Sequence, residues 1–169
     1  MEVVNLKKVL KWLDDNIEVY ICVALMSVMA VLIFVQVIAR YVFGNSLSWS
    51  EELARYIFIW LIYIGISYGC KLRKHIKIEA ALKLFPKKIR PYITILGDIL
   101  FFAFCLYIIY TGYRYCGTTA DLGKYSPALK IPFQYVYLSI PVGFTLAAIR
   151  QIQCVVYRIQ CLKNGEEVE

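Results

Sequence analysis

The chain has 169 residues, of which 60% are hydrophobic and only 18% charged, with a formal net charge of +7. A length of this order fits one domain, but so apolar a chain is not an ordinary water-soluble one, where about a quarter of residues are charged. The positive charge is not a nucleic-acid footprint either, because it is confined to segments between four apolar runs, each close to the roughly 20 residues that cross a bilayer as helix. The expected fold class is an all-α membrane protein with four transmembrane helices plus amphipathic interfacial helices.

Residues 3–15 come first. Val3, Leu6, Val9, Leu10 and Leu13 share one helical face and Lys7, Lys8, Lys11, Asp14 and Asp15 the other, the pattern of a short helix lying on the membrane surface. The apolar run over about 17–39 is too long for a signal-peptide core and reads as an uncleaved first span, with Glu18 near its inner end and Gln36 near its outer end. A short bridge leads to a second span over about 49–70. Ser48 and Glu51 form an S-x-x-E capping pattern, and Glu51 and Glu52 fall in a first turn, where the helix dipole favours carboxylates. Arg55 lies four residues after Glu51 and three after Glu52, within reach on one face. Arg40 ends the preceding run at the same level. Two readings are open: a capped helix entry with a surface ion pair, or a charged cluster of Arg40, Glu51, Glu52 and Arg55 that docks another protein, with Trp49 beside it.

Near the inner end of the second span, Gly65 and Gly69 make a G-x-x-x-G, which lets a helix approach closely, whether from this chain or a partner. Residues 71–91 form a basic connection in which Ile78, Ala81, Leu82 and Phe85 recur at helical spacing until Pro86. That pattern suits a helix on an anionic leaflet. The third span, about 92–113, contains Asp98 on the order of 10 Å inside its start. An acid at that depth faces protein or water and is a functional candidate; a carboxylate held by a neighbouring Lys, Thr or Tyr is the plainer alternative. A turn-rich connection, Cys116 to Pro132, precedes a fourth span over about 133–157, where Pro141 is expected to kink the helix interior.

Fourteen of the 19 basic residues precede the first span, lie between the second and third, or, as Arg150, Arg158 and Lys163, fall in or after the last turns of the fourth. By the positive-inside rule this places both termini and the middle connection in the cytoplasm. The six cysteines show no metal spacing and read as small packing residues. The single histidine, His75, lies in the basic connection, and spans without histidine do not hold haem. No phosphate loop or hydrolase motif is present. The sequence therefore points to no catalysis, no cofactor and no metal, but to a membrane scaffold for a larger partner.

The run Val37-Ile38-Ala39-Arg40-Tyr41-Val42-Phe43-Gly44, then Leu47-Ser48-Trp49-Ser50-Glu51-Glu52-Leu53-Ala54-Arg55-Tyr56, continuing through Gly65 and Gly69 to His75-Ile76-Lys77-Ile78-Glu79, resembles the small membrane subunit of tripartite ATP-independent periplasmic (TRAP) transporters, the DctQ-like family. Among such proteins the sialic acid type looks closest. The resemblance implies a partner subunit of many spans that holds substrate and sodium sites. It also implies a periplasmic binding protein that delivers an organic acid such as sialic acid or a C4-dicarboxylate, and a stationary small subunit that helps dock it. The rival from the residues alone is a small proton-coupled multidrug exporter working as a dimer, with Asp98 or Glu18 as its proton carrier.

Overall fold

The computed structural model describes residues 2–71 and 89–164. Most of the basic connection expected over 71–91, with its proposed surface helix, lies outside them. The described elements are α1 (Glu2–Tyr41), α2 (Ser48–Lys71), α3 (Arg90–Asp121), the single turn α4 (Gln134–Tyr137) and α5 (Ser139–Asn164). Four stretches are long and apolar enough to cross a membrane: Asn16–Tyr41, Ser48–Lys71, Tyr92–Asp121 and Gln134–Gln160. The chain is an all-α, multi-pass membrane protein. Residues 3–15 form no separate element; α1 runs unbroken through them into the first span.

Each helix contacts its neighbour along a narrow stripe at coiled-coil spacing. In α1 the stripe is Glu18, Cys22, Leu25, Met29, Leu32 and Gln36, alternating steps of four and three, with the two polar residues the most buried. In α3, Asp98, Cys105, Gly112 and Thr119 are buried every seventh residue. In α5, Phe144, Ala147, Gln151, Cys154 and Arg158 are buried at alternating three and four. A seven-residue repeat keeps one seam facing a partner over many turns. It leaves most of α1 and α3 outside the seam, with Met26, Phe34, Leu100 and Tyr107 among the many exposed apolar side chains, whereas the central α5 is buried over about half of its span.

Among the described residues the backbones meet in the order α1, α2, α5, α3; α1 packs only on α2 and α3 only on α5 and α4. Two glycines make the central contacts. A Cβ on Gly143 of α5 would lie 2.5 Å from the Cβ of Tyr63 and 2.7 Å from its carbonyl oxygen, so only glycine admits the α2–α5 crossing. A Cβ on Gly112 of α3 would lie 3.2 Å from the Pro141 ring. Tyr63, Phe104 and Phe144 then stack by ring edges beside the fully buried Cys105. Without a hydrophobic drive between helices in lipid, such close packing is what favours association.

One expectation, the end of the third span, is corrected. The interruption expected from Pro141 falls about one turn upstream of it: the span Gln134–Gln160 breaks at Leu138, between α4 and α5, beside the carbonyl four residues back that a proline cannot bond, and Pro141 itself lies in the first turn of α5. The Ser139 hydroxyl there donates to the Val136 carbonyl at 2.6 Å. The third span does not end near Tyr113 but continues as α3 to Asp121, because its seven-residue seam persists through Gly112 and Thr119. The connection between α3 and α4 is correspondingly shorter and more ordered.

Candidate functional site

The polar side chains within the spans form three clusters, two in the half near the chain termini and one at the end that carries the short connections. In the first, Glu18 of α1 accepts at Oε1 from Ser67 Oγ of α2 and from Arg150 Nε of α5, both at 2.8 Å. Arg150 also donates from Nη1 to Gln153 Oε1 at 2.9 Å. Three helices thus converge on one buried carboxylate. In the second, Asp98 of α3 accepts from Arg158 Nη1 at 2.5 Å and Gln151 Nε2 at 2.8 Å, both on α5. All of these side chains except Gln153 are at least nine-tenths buried. Asp98 is therefore held, as the plainer reading had it, but by arginine and glutamine of α5 and not by Lys, Thr or Tyr. Arg150 and Arg158, read in the sequence as inner-side topology markers, are internal counter-charges. A buried ion pair is tolerated only where geometry and further hydrogen bonds offset desolvation, and both pairs carry such bonds.

At the connection end the charged residues separate. Gln36 of α1 donates from Nε2 to Glu51 Oε1 at 3.0 Å and Ser46 Oγ at 3.1 Å, and its Oε1 accepts from Ser50 Oγ at 2.6 Å. Glu52 points elsewhere: its Oε1 accepts from Tyr56 at 2.5 Å and its Oε2 from the backbone N–H groups of Ala128 and Leu129 at 2.9 and 3.0 Å. Consecutive helix residues diverge by about 100°, which sends Glu51 toward α1 and Glu52 toward the connection after α3. The expected cluster of Arg40, Glu51, Glu52 and Arg55 does not assemble: both arginines are exposed, and no ion pair joins the four among the described residues. Nor does Ser48 cap α2. It is the first helical residue, exposed, while Ser50 donates to the Leu47 carbonyl and Glu51 serves Gln36. Trp49 is exposed at the same level. Among the described residues nothing lies within 4 Å of where a Cβ on Gly65 or Gly69 would stand, so no described helix uses their groove. They continue an exposed α2 face from Phe58 and Ile62.

A cleft of about 250 Å³ between α1 and α2, lined by Gln36, Arg40, Tyr41, Ser50 and Glu51 among others, falls below the usual range for small-molecule sites, about 300–1,000 Å³. Among the described residues no three His, Cys, Asp or Glu side chains converge as a metal site. Of the five described cysteines, four are buried. What the chemistry provides is fixed helix register, with its charges turned inward in pairs.

A family model described as the DctQ component of tripartite ATP-independent periplasmic transporters matches residues 29–161. The chain belongs to this family. The DctQ family is a transporter component, a small permease subunit, and not an enzyme family. Among its relatives, the sialic acid TRAP transporter small permease protein SiaQ of Vibrio cholerae is 28% identical over 146 residues, covering 86% of this chain and 83% of that protein. The isethionate TRAP transporter permease protein DctMQ of Oleidesulfovibrio alaskensis is 29% identical over 151 residues, covering 86% of this chain but only 24% of that protein. The sialic acid permease protein SiaT of Haemophilus influenzae is 31% identical over 123 residues, covering 72% of this chain and 20% of that one. The chain thus spans about a quarter or less of these two permeases. Glu18 lies outside the stretch that the DctQ model matches and its partner Arg150 inside it, so the first polar cluster ties the family segment to the part of α1 that precedes residue 29.

Proposed function

We propose that this DctQ-family chain is the stationary small subunit of a sodium-coupled TRAP transporter in a bacterial inner membrane, with both termini cytoplasmic. Its partners are a large permease subunit, which holds substrate and sodium sites, and a periplasmic binding protein, which delivers an organic acid such as sialic acid or a C4-dicarboxylate. The chain itself binds neither substrate nor sodium. The observation that carries this reading is the consumption of the buried carboxylates: Glu18 and Asp98 are each engaged by an arginine of α5, which suits a rigid body better than a proton carrier. The two relatives of which this chain covers a quarter or less, both named as permease proteins, support a large partner. The groove at Gly65 and Gly69, which no described residue fills, supports a helix of that partner packing on α2.

The test is reconstitution in liposomes of this chain, the large permease and the binding protein under a sodium gradient, with one component omitted at a time. Uptake should require all three and the gradient. Uptake by this chain alone, or full uptake without it, refutes the proposal. For orientation, single cysteines placed at Lys83 and Asp121 in a cysteine-free background should label from the cytoplasmic and periplasmic sides, respectively; periplasmic labelling at position 83 inverts the topology.

A further inference from the structure

The connection between α3 and α4 is a surface segment held as firmly as a core element. Its backbone is tied to Glu52 of α2 through the Ala128 and Leu129 amides and to itself through four further bonds. The Ser126 N–H donates to the Ile131 carbonyl at 2.9 Å, the Lys130 N–H to the Ser126 carbonyl at 3.1 Å, the Phe133 N–H to the Lys124 carbonyl at 3.0 Å and the Ile131 N–H to Ser126 Oγ at 3.2 Å. Tyr125 and Pro132 face each other in an antiparallel bridge. Within this frame Lys130 takes φ +53°, a left-handed conformation uncommon for a residue with a Cβ. Such strain persists only where the surroundings over-determine it, and it concentrates where a surface is put to use.

The side chains that the frame presents outward are cationic and aromatic. Lys124, Tyr125, Pro127 and Lys130 are exposed, Tyr125 at 61%. The same end of the molecule carries exposed Arg40, Arg55 and Arg114, against exposed acids only at Glu51 and Asp121, while the Glu52 charge is turned inward onto the loop. Among the described residues this end therefore has a net positive surface. Attraction to anionic lipid headgroups needs only flexible basic side chains. A fixed loop with a protruding tyrosine flanked by lysines is instead the composition and preorganisation of a protein-binding hot spot.

We propose that the clamped segment Lys124–Phe133 is a preformed docking surface for an acidic face of a soluble protein, with Tyr125 as its anchor, Lys124 and Lys130 as its charge contacts, and Glu52 as the positioning residue that sets the loop. The inference rests on the reading above that a soluble binding protein meets this chain, and adds which surface it meets and by what chemistry.

The experiment measures affinity and rates of the binding protein for the whole membrane complex in nanodiscs, across ionic strength. K124E/K130E should weaken binding roughly tenfold or more at low salt, chiefly through a slower and less salt-dependent on-rate. Y125A should weaken it to a similar extent through the off-rate. K130G, which accepts the left-handed backbone at no steric cost, should lose less than K130E. E52Q should lower hydrogen-exchange protection at Ala128 and Leu129 and weaken binding together; K124E/K130E and Y125A keep the clamp and carry the test if E52Q fails to assemble. No detectable binding by the unaltered complex, unchanged affinity in both K124E/K130E and Y125A, or affinity that follows only the anionic lipid content of the nanodisc overturns the proposal. Unchanged affinity in a system whose uptake still requires this chain removes the docking surface and leaves the scaffold reading standing.

Discussion

Removing one half of the Asp98–Arg158 pair should be the most damaging single change in the terminal half of the molecule. Asp98→Ala strands a buried guanidinium whose Nε already lacks a partner. Breaking a buried pair in this way costs about 3–5 kcal/mol. Neutral hydrogen bonds between membrane helices average only about 0.6 kcal/mol, with a maximum near 1.7, so the stranded charge outweighs the lost Gln151 contact. For a chain of this length each kcal/mol moves the midpoint by about 2–4 °C, which puts the expected loss on the order of 10 °C for the isolated subunit in nanodiscs. Asp98→Asn keeps an acceptor and should lose about 1.5–3 kcal/mol, the worth of a charge-assisted bond, while transport by the assembled system survives. Asp98→Leu with Arg158→Leu removes both charges and should return to within about 1 kcal/mol of the parent. Thermal unfolding followed by circular dichroism over the complete double-mutant cycle is the assay. Losses that simply add across the cycle would refute the pairing, and abolished transport by Asp98→Asn with normal assembly would refute its structural role.

Further outcomes follow from the same geometry. Gly143→Val should separate α2 from α5 and cost about 1–3 kcal/mol by overpacking against the Tyr63 backbone, read as a lowered midpoint of the isolated subunit. Gly65→Ala should leave the isolated subunit as stable or raise it by up to about 1 kcal/mol through helix propensity; under the proposed packing of a permease helix there, Gly65→Val should reduce co-purification of the large subunit while the isolated chain stays folded. Gln36→Ala, which strips three bonds from a buried site, should cost about 1–3 kcal/mol and exceed the loss from Ser67→Ala in the same unfolding assay.

The four spans were legible because a bilayer demands about 20 apolar residues per crossing, and nothing else in a chain of this length imitates that demand. The divergence of Glu51 and Glu52 was legible too, since adjacent helix residues cannot share a target. Their partners were not: Glu52 bonds to amides 76 and 77 residues further on, a distance that no local pattern spans. The arginines show why counting charge is not the same as placing it. Arg150 and Arg158 entered a topology count as inner-side charges, yet both are buried against acids. The available signal was Arg158 lying seven residues after Gln151, on one face of the same helix, matched by Asp98 on another run. Ser48 misled for a local reason: the capping pattern was present, but Gln36 took the glutamate that would have completed it.

The placing of these polar groups bears on how a small membrane subunit can serve as a fixed reference. Apolar stripes at seven-residue spacing specify a seam but not a position along it. In lipid, a slip of α1 past α2 by one repeat would exchange leucine for leucine at little cost. The α1–α2 hairpin is latched at both ends instead: Gln36 binds Ser50 near the connection, and Glu18 binds Ser67 at the far end. Glu18 and Gln36 are 18 residues apart, about 27 Å of helix. Any slip breaks both latches together and takes the buried Glu18 carboxylate away from Arg150, leaving it a charge without its counter-charge in a low-dielectric interior, a penalty far larger than thermal energy. Arg158 and Asp98 hold α3 to α5 in the same half. The register of every span is thereby tied to α5 directly or through one neighbour, and this is the property a subunit needs if a larger permease is to move against it.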